Sequence, residues 1–164
     1  MPETPNQASF RTVLGHFPSG VTVMTTRLGE QLHGMTVSAF ASVSLAPLLV
    51  VVSVEKTTLM HRLVSESRVF AINILPEREE ATSRFFADDE RLGKPEFAAE
   101  NFEPGITGSP LLRSATAYVE ARLRAAYDGG DHTLFLGEVA ALDVRSQESP
   151  LVFYRGGYTG IKGG

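Results

Sequence analysis

The sequence predicts a mainly β protein, an antiparallel barrel with two or three short helices, and three observations support this fold class. About seven segments have the composition and alternation of β-strands. Most of them follow one another directly, whereas a βαβ fold would place a helix between successive strands. The composition, 43% hydrophobic and 21% charged, is typical of a globular protein. A chain of 164 residues is long enough to bury a core without disulfide bonds or a structural metal ion. We therefore expect residues 1–164 to form one domain.

The first elements are a short helix and a β-hairpin. Asn6 or Ser9 can cap the helix, and apolar residues recur at helical spacing through residues 10–17. Two β-rich segments, 21–26 and 35–44, then flank a turn that contains glycine. This arrangement predicts a hairpin.

The middle of the chain alternates between strand and helix signals. Residues 48–54 are almost all apolar and β-branched, which predicts a strand covered on both faces. A capping threonine predicts a helix over 57–65, and a second apolar run predicts a strand over 68–75. Early acidic residues and late phenylalanines favour a helix over 77–87. The charged segment 88–108, interrupted by Gly and Pro, is expected to be a long surface loop.

The last third of the chain is predicted to be almost entirely β. Residues 115–127 alternate between apolar and polar, so we expect a half-buried strand whose polar side chains, Glu120 among them, point to solvent. A second long strand is expected over 131–145, with Gly137 as a bend, and a short strand over 151–154.

Composition and absent motifs exclude several classes of function. The formal net charge of −4 gives little attraction to nucleic acid or anionic lipid, and no apolar run is long enough to span a bilayer. The absence of cysteine excludes thiolate nucleophiles and Cys-based metal sites. No dinucleotide-binding glycine motif, P-loop or Gly-x-Ser-x-Gly motif is present, and the histidines form no close pair. We expect a cytoplasmic protein that binds neither metal ions, nucleic acids nor membranes.

The run 34–44 is the first candidate site. It alternates strictly, so Thr36 and Ser38 are expected on one face together with Phe40. That face carries four hydroxyl groups. It is either an ordinary solvent-exposed sheet surface or a ligand shelf in which hydroxyls and backbone N–H groups bind a phosphate or the polar edge of a heteroaromatic ring.

The segment Ser53–Thr58 is the second candidate site. It lies where a buried strand gives way to a helix, so free N–H groups, hydroxyls and the Lys56 ammonium can converge on an anion. The other interpretation is a helix N-cap beside a solvated lysine.

Two further groups of residues lie towards the C-terminus. His132 begins a long strand directly after Asp131, which can orient or charge its ring, although a single histidine is also commonly structural. Tyr154 and Tyr158 flank a short glycine-containing segment. They form either a plain turn or the aromatic rim of a ligand site.

In their order along the chain, these segments resemble the flavin reductase family with the FMN-binding split-barrel fold, the reductase components of two-component flavin-dependent monooxygenases. The matching stretches are Phe17–Thr25, His33–Ser44, Pro47–Lys56, Phe70–Leu75, Phe86–Ala87, Gly130–His132 and Ser149–Tyr154. The resemblance implies an antiparallel Greek-key split barrel of six strands with two or three short flanking helices. It also implies a homodimer with flavin in a groove near the subunit interface.

The same resemblance implies roles for individual residues. Those along the isoalloxazine ring and ribityl chain are Met35, Thr36, Ser38 and Ala39. Those at the flavin phosphate are Ser53, Val54, Lys56 and Thr57. Those beside the flavin are Asn73 and Phe86. The catalytic histidine facing the nicotinamide is His132, in a Gly-Asp-His motif with Asp131, and the residues bordering the same cleft are Tyr154 and Tyr158.

The implied activity is that of an NAD(P)H:flavin oxidoreductase. Hydride passes from nicotinamide C4 to N5 of FAD or FMN, and the reduced flavin is supplied to a partner monooxygenase. NADH is favoured over NADPH because no clear arginine cluster for a 2′-phosphate is visible. Three alternatives remain open: a split-barrel protein whose tightly bound flavin acts directly on a small organic substrate, a noncatalytic module that binds flavin or haem, and a β-barrel interaction protein whose hydroxyl-bearing face is only solvated.

Overall fold

A computed structural model describes residues 4–161. Its helices within this range are α1 (Gln7–Leu14), α2 (Leu59–Ser67) and α3 (Glu80–Ala87), with 3-10 turns at Glu77–Glu79 and Asp89–Arg91. The strands are β1 (Ser19–Gly20), β2 (Thr22–Leu28), β3 (Gln31–Val37), β4 (Phe40–Leu45), β5 (Leu48–Glu55), β6 (Val69–Ile74), β7 (Phe102–Pro104), β8 (Pro110–Leu112), β9 (Ala117–Gly129), β10 (His132–Val144), β11 (Leu151–Tyr154) and β12 (Gly157–Gly160). Strands dominate, so the predicted mainly β fold class is confirmed.

The main sheet must curl into a barrel because its two edges are linked by only two residues. Seven antiparallel strands form it in the order β3-β2-β6-β9-β10-β5-β4. Ser38 and Ala39 alone connect the edge strands β3 and β4. They allow the two strand ends to lie at most about 11 Å apart, whereas seven strands laid flat would separate the edges by about 29 Å. The edges therefore approach each other, as a split barrel requires.

The hairpin strand predicted over 35–44 is two strands in the structure. β3 ends at Val37, and β4, which begins at Phe40, pairs with β5 instead of continuing beside β2. The irregular link changes the alternation, so Phe40 packs against the core on the same side as Met35. The expectation that Phe40 shares the hydroxyl-bearing face was therefore wrong. This break also explains why the main sheet has seven strands where six were implied.

The barrel interior and a second cluster outside it form the hydrophobic core. Fully buried side chains inside the barrel include Met24, Val52, Phe70, Ile72 and Phe135. The second cluster packs strand β2 and the residue before it, Val21, against helix α3 and strand β11, through Val23, Phe86 and Leu151. Two small sheets, β1-β11-β12 and β7-β8, flank the main one.

Gly137 lies at an interruption of the β9–β10 pairing, as its predicted role as a bend requires. The register shifts between Leu136 and Gly137. A Cβ atom at Gly137 would lie only 2.6 Å from the Phe70 ring. A side chain at this position would displace Phe70, so the glycine permits both the bend and the packing of the barrel interior.

Two burial predictions were wrong. In β5, Val50, Val52 and Val54 are buried, but the alternate residues are only half-buried or exposed, so the strand is not covered on both faces. In β9, Glu120 is 1% exposed. Its carboxylate accepts hydrogen bonds from the backbone N–H groups of Ile106, at 3.0 Å, and Thr107, at 2.8 Å. These hydrogen bonds compensate for burying the carboxylate. They come from a loop distant in sequence, so the alternation of residues within the strand does not predict them.

Candidate functional site

The end of β5 and the start of β10 lie side by side, which brings two predicted motifs together. Ser53 is paired with Leu134 and Glu55 with His132 in an antiparallel register. Beyond the strand, the backbone N–H of Lys56 donates a hydrogen bond of 3.0 Å to the carbonyl of Asp131. The segment 53–57 and the pair Asp131–His132 therefore form one continuous surface, although they are far apart in the sequence.

His132 follows the tight turn between β9 and β10 and is oriented by its neighbour. The turn contains Gly130 at a φ of +81°, a conformation that favours glycine. The His132 Nδ1 lies 2.7 Å from the Asp131 carboxylate, and a hydrogen bond from His132 lowers the pKa of Asp131. The side chain of His132 is 40% exposed. With Nδ1 engaged, the ring leaves Nε2 free of hydrogen-bond partners among residues 4–161.

The link between β3 and β4 adjoins this surface. The backbone N–H of Ser53 donates a hydrogen bond of 3.0 Å to the carbonyl of Ala39. Ser38 and Ala39 are exposed, and Ser53 is half-buried. The structure therefore brings Ser38, Ala39 and Ser53 together at the edge where the barrel is split.

The segment after β5 is a helix N-cap, with its charged groups already paired. Thr58 caps α2, because its hydroxyl accepts a hydrogen bond from the backbone N–H of His61. The ammonium of Lys56 forms an ion pair with Asp128 and lowers the pKa of that carboxyl through a hydrogen bond. The hydroxyl of Thr57 donates to Glu55 at 3.0 Å. Val54 points into the core and offers a ligand only its backbone.

His61 lies behind this segment. Its Nε2 is 2.8 Å from the hydroxyl of Thr133, and its ring packs 5.2 Å from that of Phe135. Burial, and then the charge of Lys56, lowers the pKa of His61, so protonation of the ring is disfavoured. A neutral His61 adds no positive charge to the neighbouring surface.

Helix α1 completes the site, a role that its own sequence pattern does not indicate. A cavity of about 640 Å³ separates the start of α1 from the ends of β5 and β10. The residues that line this cavity include Asn6, Phe10, Arg11, Ser53, Asp131 and His132. The periodicity of α1 predicts an ordinary amphipathic helix, and nothing in that pattern identifies the strand ends to which it is apposed.

A second group of predicted site residues lies elsewhere, where β3, α3 and β12 meet. The hydroxyl of Thr36 donates to the carbonyl of Ser83 at 2.6 Å, and the hydroxyls of Ser83 and Tyr158 are 2.8 Å apart. Phe86 is buried in the same region against Gly34, with its ring 2.6 Å from the position of a Cβ at that glycine. Thr36, Phe86 and Tyr158 therefore hold α3 against the sheet, and they do not line the cavity beside His132.

Two other predicted contacts have structural partners. Asn73 has no exposed surface, its amide nitrogen donates to the carbonyl of Val23 at 3.0 Å, and its amide oxygen accepts from the N–H of Leu112 at 2.8 Å. Asn73 therefore offers no exposed side-chain surface to a ligand, and its place beside the flavin stays a prediction. Tyr154 is half-exposed and packs edge-to-face with His16 at 6.5 Å, near the end of α1.

The chemistry of the lining residues suits an anionic, partly aromatic ligand. Arg11 supplies positive charge, His132 and Ser53 supply polar groups, and Phe10 supplies an aromatic ring. Within residues 4–161, no three His, Cys, Asp or Glu side chains are grouped as metal ligands. None of the described helices is long and apolar enough to cross a membrane.

Comparisons with known proteins identify the family of this chain. The family model for the flavin reductase like domain matches residues 14–162. The reductase subunit HsaB of a flavin-dependent monooxygenase from Rhodococcus jostii is 38% identical over 154 residues, which cover 93% of this chain and 77% of the relative. The NADH-dependent FMN reductase AsuE2 from Streptomyces nodosus is 38% identical over 160 residues, covering 96% of this chain and 86% of the relative.

A solved structure shows the same architecture. The NADH:FAD oxidoreductase SgcE6 from Streptomyces globisporus aligns with a TM-score of 0.90 and 35% sequence identity, covering 97% of this chain and 95% of that one. The family model and the relatives cover nearly the whole chain, including the motifs at 38–39, 53–57 and 131–132. The chain belongs to the flavin reductase family.

Proposed function

We propose that the protein is a flavin reductase that oxidises NADH in preference to NADPH, reduces FAD or FMN, and supplies the reduced flavin to a partner monooxygenase. The observation that carries this proposal is the convergence of Ser38–Ala39, Ser53 and Asp131–His132 beside one cavity. Relatives named for NADH, FAD, FMN and monooxygenase reductase subunits support the same activity. We also infer that residues 1–164 form one domain of this kind, which the family match over residues 14–162 supports.

The role of the protein in this reaction is to bind and orient its substrates. The two bound nucleotides supply the hydride-transfer chemistry. The Asp131 carboxylate fixes the His132 ring, whose Nε2 then orients the nicotinamide. The hydroxyls of Ser38 and Ser53 and the backbone of Ala39 and Val54 hold the flavin, and α1 shields one side of the cavity from water. Orientation alone can supply a large part of the rate enhancement, and no protein nucleophile is required.

A steady-state assay tests the activity directly. The purified chain is mixed with NADH or NADPH and with FAD, FMN or riboflavin, and the loss of reduced-nicotinamide absorbance is recorded. We expect rapid oxidation of NADH only when flavin is added, and slower oxidation of NADPH. Flavin that survives dialysis and turns over without added flavin would instead support a tightly bound prosthetic group. Flavin binding without NADH oxidation would contradict the proposal in favour of a noncatalytic module.

Delivery to a monooxygenase requires the reduced flavin to leave the protein. We therefore expect a flavin-dependent monooxygenase, supplied only with NADH, flavin and this chain, to hydroxylate its own substrate. Hydroxylation should continue when a dialysis membrane that passes flavin separates the two proteins. Because its electron donor is a metabolic dinucleotide of the cytoplasm, we place the protein in that compartment.

We further propose a homodimer in which the apolar face of α1 is buried. No residue of α1 is buried within the described chain, and Val13 and Phe17 are 67% and 76% exposed. An amphipathic helix is stable when its apolar stripe is covered, and a second copy is the cover proposed here. We expect light scattering to give twice the chain mass for the wild type and one chain mass for Val13→Glu. Thr12→Glu, on the polar face of the same helix, should remain dimeric, and a wild-type monomer that binds flavin would contradict the dimer.

A further inference from the structure

The cavity beside His132 contains a guanidinium group that no described carboxylate neutralises. Arg11 lines this cavity together with Ser53, Asp131 and His132. All ion pairs within residues 4–161 engage other cationic side chains. In that part of the chain, no ion pair therefore competes with an anionic ligand for the guanidinium of Arg11.

Lys56, the cation implied for the flavin phosphate, has a different electrostatic environment. Its ammonium is ion-paired with Asp128, and Glu55 precedes it in the chain. Asp131 also lies near enough for the charge of Lys56 to contribute to lowering its pKa. One ammonium among three carboxylates leaves a local excess of negative charge, which repels a phosphate. Arg11, by contrast, lines the cavity and forms no ion pair within residues 4–161.

The helix that carries Arg11 is capped at one end and hydrogen-bonded to the rest of the chain at the other. At the N-terminus, the side chain of Asn6 accepts hydrogen bonds from the N–H groups of Ala8 and Ser9, at 2.9 and 3.0 Å. At the other end, the N–H of Arg155 donates to the carbonyl of Gly15 at 2.9 Å. A cation presented from an anchored helix loses less conformational freedom on binding than one presented from a loose terminus.

We propose that Arg11 binds a phosphate group of the nucleotide in this cavity, which makes α1 a wall of the substrate site. The inference rests on the proposed function for the identity of the nucleotide, and the phosphate belongs to the flavin or to the nicotinamide dinucleotide. A guanidinium donates two parallel N–H···O hydrogen bonds to a phosphate, a geometry that an ammonium cannot provide.

The first experimental arm compares two flavins that differ by one phosphate. Wild type and Arg11→Gln are titrated with FMN and with riboflavin, and quenching of flavin fluorescence gives the two dissociation constants. If Arg11 binds the flavin phosphate, the variant loses about tenfold or more in affinity for FMN and nothing for riboflavin. This arm needs no turnover, so it remains informative if the chain fails to oxidise NADH and the proposed function is wrong.

The second arm tests the nicotinamide nucleotide in the same way. The KM values for NADH and for reduced nicotinamide riboside, which lacks phosphate, are measured for both proteins. If Arg11 binds the dinucleotide, Arg11→Gln raises the KM for NADH about tenfold, leaves kcat unchanged and leaves the KM for the riboside unchanged. Arg11→Lys should recover part of the loss in whichever arm responds, because it restores the charge without the planar donor pair.

Matched controls separate phosphate binding from general effects. Arg62→Gln removes an exposed cation of α2 that pairs with Glu66, and it should change neither arm. The proposal is overturned if Arg11→Gln weakens the binding of FMN and of riboflavin equally. It is also overturned if the variant changes neither the flavin dissociation constants nor the KM for NADH. It is also overturned if Lys56→Gln alone abolishes the preference for FMN over riboflavin.

Discussion

Replacement of His132 by alanine is expected to impair the use of NADH selectively. The imidazole is 40% exposed, its Nδ1 is held by the Asp131 carboxylate, and its ring lines the cavity. Truncation removes one oriented polar contact to the nicotinamide and leaves Asp131, whose side chain is 88% exposed, free to be solvated. A contact of this kind is worth about 1.4 kcal/mol, which corresponds to a loss of about tenfold in kcat/KM for NADH.

The measurement is a steady-state series with varied NADH at saturating flavin, followed by a series with varied flavin. The dissociation constant for flavin and the thermal midpoint should change little, because the lost side chain packs in neither core cluster. Asp131→Asn serves as the matched variant, since it retains a hydrogen-bond acceptor for the ring but not the charge, and it should cause a smaller loss of the same kind. Kinetics of His132→Ala that equal the wild type for both substrates would refute the assignment of His132.

The buried polar groups give two further predictions. Asn73→Ala should lower the free energy of unfolding in urea by about 2–3 kcal/mol, because it leaves the N–H of Leu112 unpaired. The affinity for flavin should stay the same. A selective loss of flavin binding would show instead that Asn73 contacts the ligand. Burial would raise the pKa of Glu96, but hydrogen bonds from His33 and the N–H of Gly34 outweigh it and hold this pKa below its ordinary value. The stabilisation from a depressed carboxyl pKa is present above about pH 4.5 and is lost as the pH falls through the folded pKa, so Glu96→Gln should unfold with a flatter acid profile, and an unchanged profile would contradict this.

Local sequence patterns predicted the elements of the fold better than their arrangement. The N-cap at Asn6, the helix after Thr58 and the long strands β9 and β10 follow from periodicity and capping chemistry that act over a few residues. The break at Ser38–Ala39 was missed because every residue from 34 to 44 fits a strand, and only closure of the sheet requires an interruption there. Glu120 was misplaced for a related reason, since its partners lie in a loop that strand periodicity does not describe.

The candidate site was predictable in part. The residues at the ends of the strands were identified because their hydroxyls, histidine and lysine lie in motifs that follow the family's order along the chain. Asn73 could not be separated from those components, because an amide that binds a ligand and one that holds a neighbouring loop look alike in sequence. Arg11 and Phe10 were missed because their role depends on where α1 lies in three dimensions, and helical periodicity does not contain that information.

The two-residue link between β3 and β4 constrains how the chain can be re-engineered. One added residue there would reverse the parity of β4 and turn Phe40 from the core towards solvent. The same insertion would displace the carbonyl of Ala39 from the N–H of Ser53. Length variation at this position would therefore compromise folding and ligand recognition in a single step.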